Sequence, residues 1–365
     1  QEYIEIDGCL HTRRLVEARY LKSNMESNNL PWQMTSANAI DASFELSAAC
    51  PEDNNGIPYL VEVPAPIIDD ALPINVRAIS LQYQDQLAAR GLAPKGTQLG
   101  NFCSGIVTET LPGSSFAQGD RVFAVHKNCF RSVAAVQPSS AVKLPDYLSF
   151  EDACWAIPSV LTAHHALSDI GRVRNRDCVL VMDGCRVLGE AAVGLLLNEG
   201  VAEIWLTADS IEDCQRASEK FNIPENHIIP TSAMGTAFSS TWSDLQPKFD
   251  IVFATTSIAK GLGEQTFRGM MQKNGRVVLV SDDASQSAIC FGSSSLHVSF
   301  VASDELQVSQ ESLEYAVSTP ILQLLLDSLG QVPRFSISRL DEIMAFLKQS
   351  TSSDAAVVQL TESDT

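Results

Sequence analysis

The strongest constraint on the fold lies between residues 136 and 294, where short apolar runs alternate with stretches of helical periodicity. The apolar runs are continuous, which is typical of parallel strands that are covered on both faces. Strands that alternate with helices in this order indicate a doubly wound α/β domain. The predicted strands are 178–182, 202–207, 251–254 and 275–280, and the predicted helices are 189–198, 211–221 and 262–272.

The regions on either side have a different pattern. Before about residue 135, β-like runs such as 59–63 and 74–79 are separated by Pro, Gly and Asn turns, and the chain closes with another apolar run at 355–360. We therefore predict an α/β fold with two domains. A Rossmann-like, doubly wound parallel sheet spans 136–294, and a β-rich domain formed by 1–135 and 295–365 is split around it.

Composition excludes several classes of function. The chain has 25 Lys and Arg against 44 Asp and Glu, a net charge of −19, which argues against nucleic-acid and anionic-membrane partners. No apolar run approaches the roughly 18–20 residues of a membrane span, and the first residues lack the pattern of a signal peptide. The nine cysteines include no Cys-x-x-Cys pair and are predicted to be reduced core residues. We expect a cytoplasmic protein.

Several segments, spread over nearly the whole chain and in a consistent order, resemble one family. They are EIDGCLHTRRLV (5–16), RAISLQYQD (77–85), LGNFCSGIV (99–107), SFAQGDRV (115–122), LSFEDAC (148–154) and LTAHHAL (161–167). Together they resemble the enoyl-reductase domains of fungal highly reducing polyketide synthases, within the medium-chain dehydrogenase/reductase superfamily. The resemblance implies that the β-rich domain is GroES-like. It also implies an ancestral activity, the NADPH-dependent reduction of α,β-unsaturated acyl thioesters on a carrier protein.

The turn after the first predicted strand departs from this family. A dinucleotide needs a glycine-rich turn, because its pyrophosphate approaches backbone N–H groups at a helix N-terminus. The family pattern reads roughly HAAAGGVGQAA, whereas this chain reads MDGCRVLGEAA at 182–192. Two adjacent glycines are replaced, and we expect Arg186 to pair with Asp183 or Glu190, which flank it, rather than with phosphate. The degenerate positions are Asp183, Gly184, Arg186, Val187, Gly189 and Glu190.

Other cofactor positions of the family differ as well. Where the family has a serine and then a lysine for the 2′-phosphate, this chain has Ser210 and Asp213, and a carboxylate repels a phosphate dianion. The family lysine proposed as a proton donor aligns with Asp282. The less favoured alternative is an NAD-type site, in which Asp209 binds a ribose hydroxyl.

Metal sites are not predicted. A zinc-dependent relative has Gly-His-Glu on the strand that here holds Asn101 and Phe102, and its four-cysteine lobe is missing from this sequence. Cys103 is predicted to be a buried core residue. His126 and Cys129 supply only two candidate ligands in one loop, which is too few for a site. His164 and His165 are adjacent on a helical pattern and are predicted to point to different faces.

The favoured function is a catalytically inactive pseudo-enoyl-reductase domain with a scaffolding or docking role. Catalytic residues and a bound cofactor are not expected, and Tyr83, Asp85 and Asp282 are vestigial candidates for acid–base chemistry. By the resemblance, the partners are other domains of the same synthase, a trans-acting enoyl reductase, an acyl carrier protein and a second copy in a homodimer. The alternatives are an active NADPH-dependent enoyl reductase, and a module that binds the acyl chain or carrier protein.

Overall fold

A computed structural model gives the fold of this chain. It describes residues 4–6, 9–11, 43–47, 59–62, 70–90, 98–231, 248–255, 258, 262, 264–281, 297–302, 308–327, 333–349 and 355–360. The chain forms two compact units, one of Gln1–Pro138 with Pro333–Thr365 and the other of Ser139–Val332. Within the described part of the chain, no helix is both long enough and apolar enough to cross a membrane.

The described elements are numbered in chain order. The strands are β1 (Ile4–Ile6), β2 (Cys9–His11), β3 (Phe44–Ser47), β4 (Tyr59–Glu62), β5 (Leu72–Leu81), β6 (Phe102–Val107), β7 (Arg121–Val125), β8 (Val133–Val136), β9 (Ala141–Lys143), β10 (Cys178–Val181), β11 (Glu203–Ala208), β12 (Ile228–Pro230), β13 (Phe249–Thr255), β14 (Met271–Ser281), β15 (His297–Ala302), β16 (Arg334–Ser336) and β17 (Ala356–Gln359). The α-helices are α1 (Tyr83–Ala89), α2 (Phe150–His164), α3 (Val187–Asn198), α4 (Ile211–Phe221), α5 (Glu264–Met270), α6 (Gln310–Ser318), α7 (Pro320–Leu326) and α8 (Leu340–Gln349).

The first unit is built around the long strand β5. β5 pairs antiparallel with β6, β8 and β17, β6 pairs with β7, and β16 lies parallel to β17. Leu72, Ile74 and Val76 are buried while the residues between them are only partly buried, which is the period of a strand with one covered face. Two further antiparallel pairs, β1 with β2 and β3 with β4, belong to this unit. The β-rich part predicted from the sequence is present.

The second unit contains a six-stranded parallel sheet in the order β12-β11-β10-β13-β14-β15. All four residues of the central strand β10 are buried, as its continuous apolar run predicts. The chain builds one side of β10 with β11 and β12 and then the other side with β13, β14 and β15. This order is that of the doubly wound nucleotide-binding fold, so the predicted fold class is confirmed.

The helices cover this sheet through their apolar residues. α3 is buried from Gly189 to Leu196 and packs against α2 and α7. α4 packs on β11 and β12 and buries little more than Ala217 and Phe221. It starts at the capping residue Ser210 and ends at Asn222, whose φ of 51° is left-handed, as is common at helix ends.

The second unit extends further along the chain than the sequence indicates. The predicted boundary near residue 295 differs from the end of the compact unit at Val332. β15 continues the parallel sheet beside β14, and α6 and α7 pack against α2. β15 lies at the edge of the sheet, and most of its described side chains are partly or fully exposed. Its sequence therefore lacks the continuous apolar run of the inner strands.

Candidate functional site

The turn that joins β10 to α3 lies where the sheet changes direction. The chain runs outward from β10 through β11 to β12 and then returns to the other side of β10 with β13. In doubly wound sheets, ligands bind in the crevice at this switch point, outside the carboxyl ends of the strands. The turn at residues 182–192 is therefore at the position where a dinucleotide binds in this fold.

Hydrogen bonds tie this turn to β11. Asp183 has a φ of 57°, a conformation that Asp adopts more readily than most non-glycine residues, and its N–H donates to Thr207 Oγ1 at 2.9 Å. The N–H of Gly184 donates to the Thr207 carbonyl at 3.0 Å, and the N–H of Arg186 donates to the Asp183 carbonyl at 3.0 Å. The turn thus keeps its shape through contacts within the protein.

The two glycines that remain in the turn are required by packing. A Cβ on Gly184 would lie 2.7 Å from Leu206 Cβ. A Cβ on Gly189 would lie 2.0 Å from the carbonyl oxygen of Asp183, where no relaxation of a flexible side chain relieves the clash. Close approach of α3 to the β10 turn therefore demands glycine at 189 and favours it at 184, whether or not a ligand binds.

Arg186 and Val187 stand where the resemblance predicts two adjacent glycines. Arg186 is the N-cap of α3 and its side chain makes no capping hydrogen bond. Its Nη2 lies 3.9 Å from Asp209 Oδ2, and the two side chains are 54% and 52% exposed. Val187 is the first residue of α3 and is partly buried. The N-terminus of α3 is therefore lined by the side chains of Arg186, Asp209 and Val187.

Glu190, considered above as a partner of Arg186, is paired elsewhere. Lys220 Nζ donates to Glu190 Oε2 at 2.7 Å, and these side chains are only 17% and 7% exposed. The pair connects the first turn of α3 with the last turn of α4. Because both groups are largely removed from water, each depends on the other for compensation of its charge.

Ser210 and Asp213 form the N-terminal cap of α4. Ser210 Oγ accepts the N–H of Asp213 at 3.0 Å and donates to Asp213 Oδ2 at 2.9 Å, while Arg216 Nη2 donates to Asp213 Oδ1 at 2.5 Å. The Cys185 thiol donates to the Asp213 carbonyl at 3.6 Å, so the β10–α3 turn and the start of α4 are in contact. Burial, with a further contribution from the Asp213 charge, raises the pKa of Cys185 to about 12.

Two of the three acid–base candidates lie in the described part of the chain, and both belong to α1. Tyr83 is the first residue of α1 in the first unit. Asp85 is buried in the same helix and accepts the N–H of Gln82 and the N–H of Gly100, both at 2.7 Å. Burial raises the pKa of Asp85 to about 6, against the opposing effect of these two hydrogen bonds. Asp282 lies outside the described residues.

The adjacent histidines at the end of α2 contact different groups. His165 Nδ1 lies 2.8 Å from Asp169 Oδ2 within a π-helical turn, His165–Ile170. The His164 ring lies 4.6 Å from the Tyr315 ring of α6. Across the described ranges, His, Cys, Asp and Glu side chains do not come together in threes that could hold a metal ion.

Two residues of this region are not identified by the sequence alone. Lys220 is 30 residues from Glu190, and no local pattern connects them. Thr207 carries a weak signal, because it follows the apolar run of β11 and the ends of adjacent parallel strands lie side by side. In the register of the sheet Val181 is opposite Leu206, which places Thr207 beside the turn after β10.

No family model matches the chain. It is 33% identical over 183 residues to a highly reducing polyketide synthase of Dothideomycetidae sp. (strain 11243), which is 49% of this chain and 7% of that protein. It is 29% identical over 236 residues to a reducing polyketide synthase of Gibberella moniliformis, which is 62% of this chain and 10% of that protein. The chain therefore matches a small segment of much longer proteins.

Solved structures share the fold at low sequence identity. The CurK enoyl reductase has a TM-score of 0.65 at 18% identity, covering 87% of this chain and 99% of that one. The JamJ enoyl reductase in its apo form gives the same TM-score, identity and coverage. A mycobacterial protein solved with NADPH has a TM-score of 0.62 at 17% identity, covering 87% of this chain and 99% of that one. The chain is thus similar in sequence to a segment of fungal highly reducing polyketide synthases, and it shares the fold of the CurK and JamJ enoyl reductases.

Proposed function

We propose that this chain is a catalytically inactive pseudo-enoyl-reductase domain of an iterative highly reducing polyketide synthase, or of a polyketide synthase–peptide synthetase hybrid. In this proposal the domain holds neighbouring domains in place, and a separate trans-acting reductase supplies the enoyl reduction. The observation that carries the proposal is the distribution of glycines in the turn between β10 and α3.

Glycines in a dinucleotide turn serve two different purposes. Some allow the tight turn and the close packing of helix on strand, and others let the backbone approach the pyrophosphate. Gly184 and Gly189 are of the first kind, because a Cβ at either position would overlap the protein itself. Arg186 and Val187 occupy positions of the second kind. A chain selected only for its fold would keep Gly184 and Gly189. It could replace the two glycines that stand at positions 186 and 187 in the family.

The charges around the turn support the same reading. The Arg186 guanidinium faces Asp209 at 3.9 Å, so a phosphate there would compete with a carboxylate that is already present. The Val187 side chain adds bulk at the first residue of α3, where the helix N-terminus would meet a pyrophosphate. A β-branched residue also disfavours the backbone conformations that glycine supplies.

The residues at the position of the NADPH 2′-phosphate are also unsuited to bind it. Ser210 and Asp213 are hydrogen-bonded to each other, and Asp213 is also paired with Arg216. A phosphate dianion placed beside Asp213 would meet a negative charge rather than a lysine. The residues at this position therefore do not fit NADPH. Hydride transfer is the chemistry that this cofactor supplies to an enoyl reductase.

A scaffolding role requires only the parts that are intact. The described residues form the parallel sheet with helices packed on it and the sheet centred on β5. We expect the partners to be other domains of the synthase, a trans-acting enoyl reductase, an acyl carrier protein and a second copy of the chain.

An active NADPH-dependent enoyl reductase is the second candidate. One observation favours it: the half-exposed Arg186 guanidinium at the N-terminus of α3, since such a group binds phosphate well when it has no carboxylate partner. The contact with Asp209 is the reason that we place this candidate second.

Calorimetric titration of the 365-residue chain with NADPH and with NADH separates the two candidates. We expect no binding heat at millimolar cofactor and no turnover of an enoyl thioester. The matched variant carries Arg186→Gly and Val187→Gly, and we expect no activity from it either, because Asp213 and Asp282 remain. Micromolar binding of NADPH by the unaltered chain, or its turnover of an enoyl thioester, would overturn the proposal. Turnover by the double variant alone would show that Asp213 and Asp282 contribute less to the loss of activity than we infer.

A further inference from the structure

Three arginines lie close together in the loop that leads into β10, in a chain that is acidic as a whole. Arg172, Arg174 and Arg176 are all exposed, and we call them the arginine surface. Over the described part of the chain, none of these three guanidinium groups forms an ion pair. Because the whole chain has a net charge of −19, such a group of exposed cations is unusual in it.

Hydrogen bonds fix the backbone of this loop. The N–H of Val173 donates to the Leu167 carbonyl at 3.0 Å. The N–H of Arg174 donates to Asp177 Oδ2 at 3.1 Å, and the N–H of Asp177 donates to the Arg174 carbonyl at 3.0 Å. The side chains of the arginine surface therefore extend from a backbone whose position is set by the fold.

Arg276 of β14 holds the same loop from the side of the sheet. Its Nη2 donates to the buried Asp177 carboxylate at 2.6 Å, and its Nη1 donates to the Arg172 carbonyl at 3.0 Å. Arg172 has a φ of 48°, a conformation that residues other than Gly, Asn and Asp rarely adopt. The charge of Asp177 is thus compensated by Arg276 rather than by the arginine surface.

The arginine surface lies at the amino ends of the parallel strands. It directly precedes β10, and the Asn175 carbonyl accepts the N–H of Ala202 at 3.0 Å, just before β11. The crevice at the β10–α3 turn is at the carboxyl ends of the same strands. A molecule bound to the arginine surface would therefore leave the crevice open.

The carboxylates beside these strand ends are engaged elsewhere or exposed. Glu203 Oε1 accepts the indole N–H of Trp205 at 3.3 Å, and Asp250 Oδ2 accepts the N–H of Cys178 at 2.9 Å. Glu199, which follows α3, is exposed and forms no ion pair with a described residue. Carboxylates of another molecule are therefore the groups best suited to pair with the arginine surface.

We propose that the arginine surface binds a protein that presents a cluster of carboxylates. Guanidinium groups pair with carboxylates through two parallel hydrogen bonds, and a loop that is already ordered costs less entropy on binding. A nucleic acid carries a charge at every phosphate along its length, so the net charge of this chain would repel it. A folded partner needs to bring only local carboxylates to this edge. The surface would serve whether or not the crevice binds a nucleotide, because the two lie at opposite ends of the strands.

The test measures binding of a fluorescently labelled oligoglutamate peptide to the 365-residue chain by anisotropy at low ionic strength. We expect submillimolar binding that weakens as salt is added. The triple variant with Arg172→Gln, Arg174→Gln and Arg176→Gln should bind the peptide about tenfold more weakly, since each exposed ion pair contributes modestly.

A matched control variant removes the same charge from exposed positions of the first unit, with Arg90→Gln, Lys127→Gln and Arg339→Gln. We expect it to bind the peptide nearly as well as the unaltered chain. Equal weakening in the two variants would show that net charge governs binding, and it would overturn the proposal. No binding of the peptide by the unaltered chain at millimolar concentration would do the same.

Protection from chemical modification locates the contact in the unaltered chain, even if the triple variant fails to fold. Phenylglyoxal modifies exposed arginines, and mass spectrometry maps them. We expect the peptide to protect Arg172, Arg174 and Arg176 but not Arg90. Protection of all four to the same extent would count against the arginine surface.

Two other occupants give different results. Tighter binding of single-stranded DNA than of a peptide of equal charge would assign the arginine surface to nucleic acid and overturn the proposal. Salt-sensitive self-association that the triple variant loses would assign it to a second copy of the chain, also against the proposal. Calorimetry of the triple variant with NADPH should match that of the unaltered chain, so this test and that of the proposed function fail separately.

Discussion

The polar groups at the start of α1 and those at the entrance to α3 are held in opposite ways. Asp85 is buried and accepts two backbone N–H groups, whereas Arg186 and Asp209 are about half exposed and lie 3.9 Å apart. Losing the acceptor of a buried N–H costs about 1–3 kcal/mol, while an exposed ion pair contributes about 1 kcal/mol or less. The fold therefore constrains the first group strongly and the second weakly. The fold alone therefore leaves the residues at the entrance to α3 freer to change than Asp85.

The same contrast exists within the β10–α3 turn, and it gives the largest predicted effect. Gly189→Ala is expected to lower the free energy of unfolding by about 4 kcal/mol, because its Cβ would lie 2.0 Å from a backbone oxygen. Arg186→Ala, three residues earlier, is expected to change it by about 0.5 kcal/mol or less. Denaturant unfolding of both variants measures the difference. If both variants lose the same free energy of unfolding, packing does not distinguish Gly189 from Arg186.

A pH titration sharpens the account of Asp85. Its pKa in the folded chain is about 6, above the ordinary value of 3.8, so the folded state holds the proton more tightly than the unfolded state. The stabilisation from this group is full below pH 4 and is lost as pH rises through 6, a total on the order of 3 kcal/mol. Asp85→Asn stays neutral and lacks this dependence.

The measurement is the difference in unfolding free energy between the unaltered chain and Asp85→Asn from pH 4 to pH 7. We expect the difference to shift against the unaltered chain as the pH rises. A constant difference over this range would show that burial does not govern the charge of Asp85.

The smallest expected effect concerns the Glu190–Lys220 pair, which is buried but less completely than Asp85. Lys220→Met is expected to cost about 2 kcal/mol, because it leaves the Glu190 carboxylate without compensation. Adding Glu190→Gln removes the stranded charge and should recover at least half of that loss. A double-mutant cycle built from unfolding curves measures this coupling. If the losses of unfolding free energy in the two single variants simply add in the double variant, the Glu190–Lys220 pair is as weak as the exposed Arg186–Asp209 pair.

Much of the second unit was predictable from the sequence, and particular residues show why. The helix predicted at 211–221 is α4, because Ser210 and Asn222 are strong end signals and its apolar residues recur with helical period. β12 was not predicted, since Ile228–Pro230 is too short to give a pattern. The boundary near 295 missed β15 because an edge strand lacks the continuous apolar run of an inner strand.

The site was predictable in position but not in its contacts. The sequence alignment places Arg186, Val187 and Gly189 just after the strand 178–182, and in the structure they follow β10. The apolar run and the helical pattern after it are enough to locate this turn. The partners of the charged residues depend on how α3 and α4 pack, and residues 30 positions apart carry no shared local signal. The reason for each remaining glycine also required coordinates, since it lies in distances to Leu206 and Asp183.

The buried link between α3 and α4 has a consequence for the stability of this unit. A domain that binds a ligand only in its folded state gains stability as the ligand concentration rises, by about 2.7 kcal/mol at a hundred times the dissociation constant. Here Lys220 and Glu190 connect the two helices beside the crevice from within the chain. Under the proposed function, the stability of this unit is independent of the cellular nucleotide pool. The synthase would then keep its architecture when reduced nucleotide is scarce, although its reduction steps would slow.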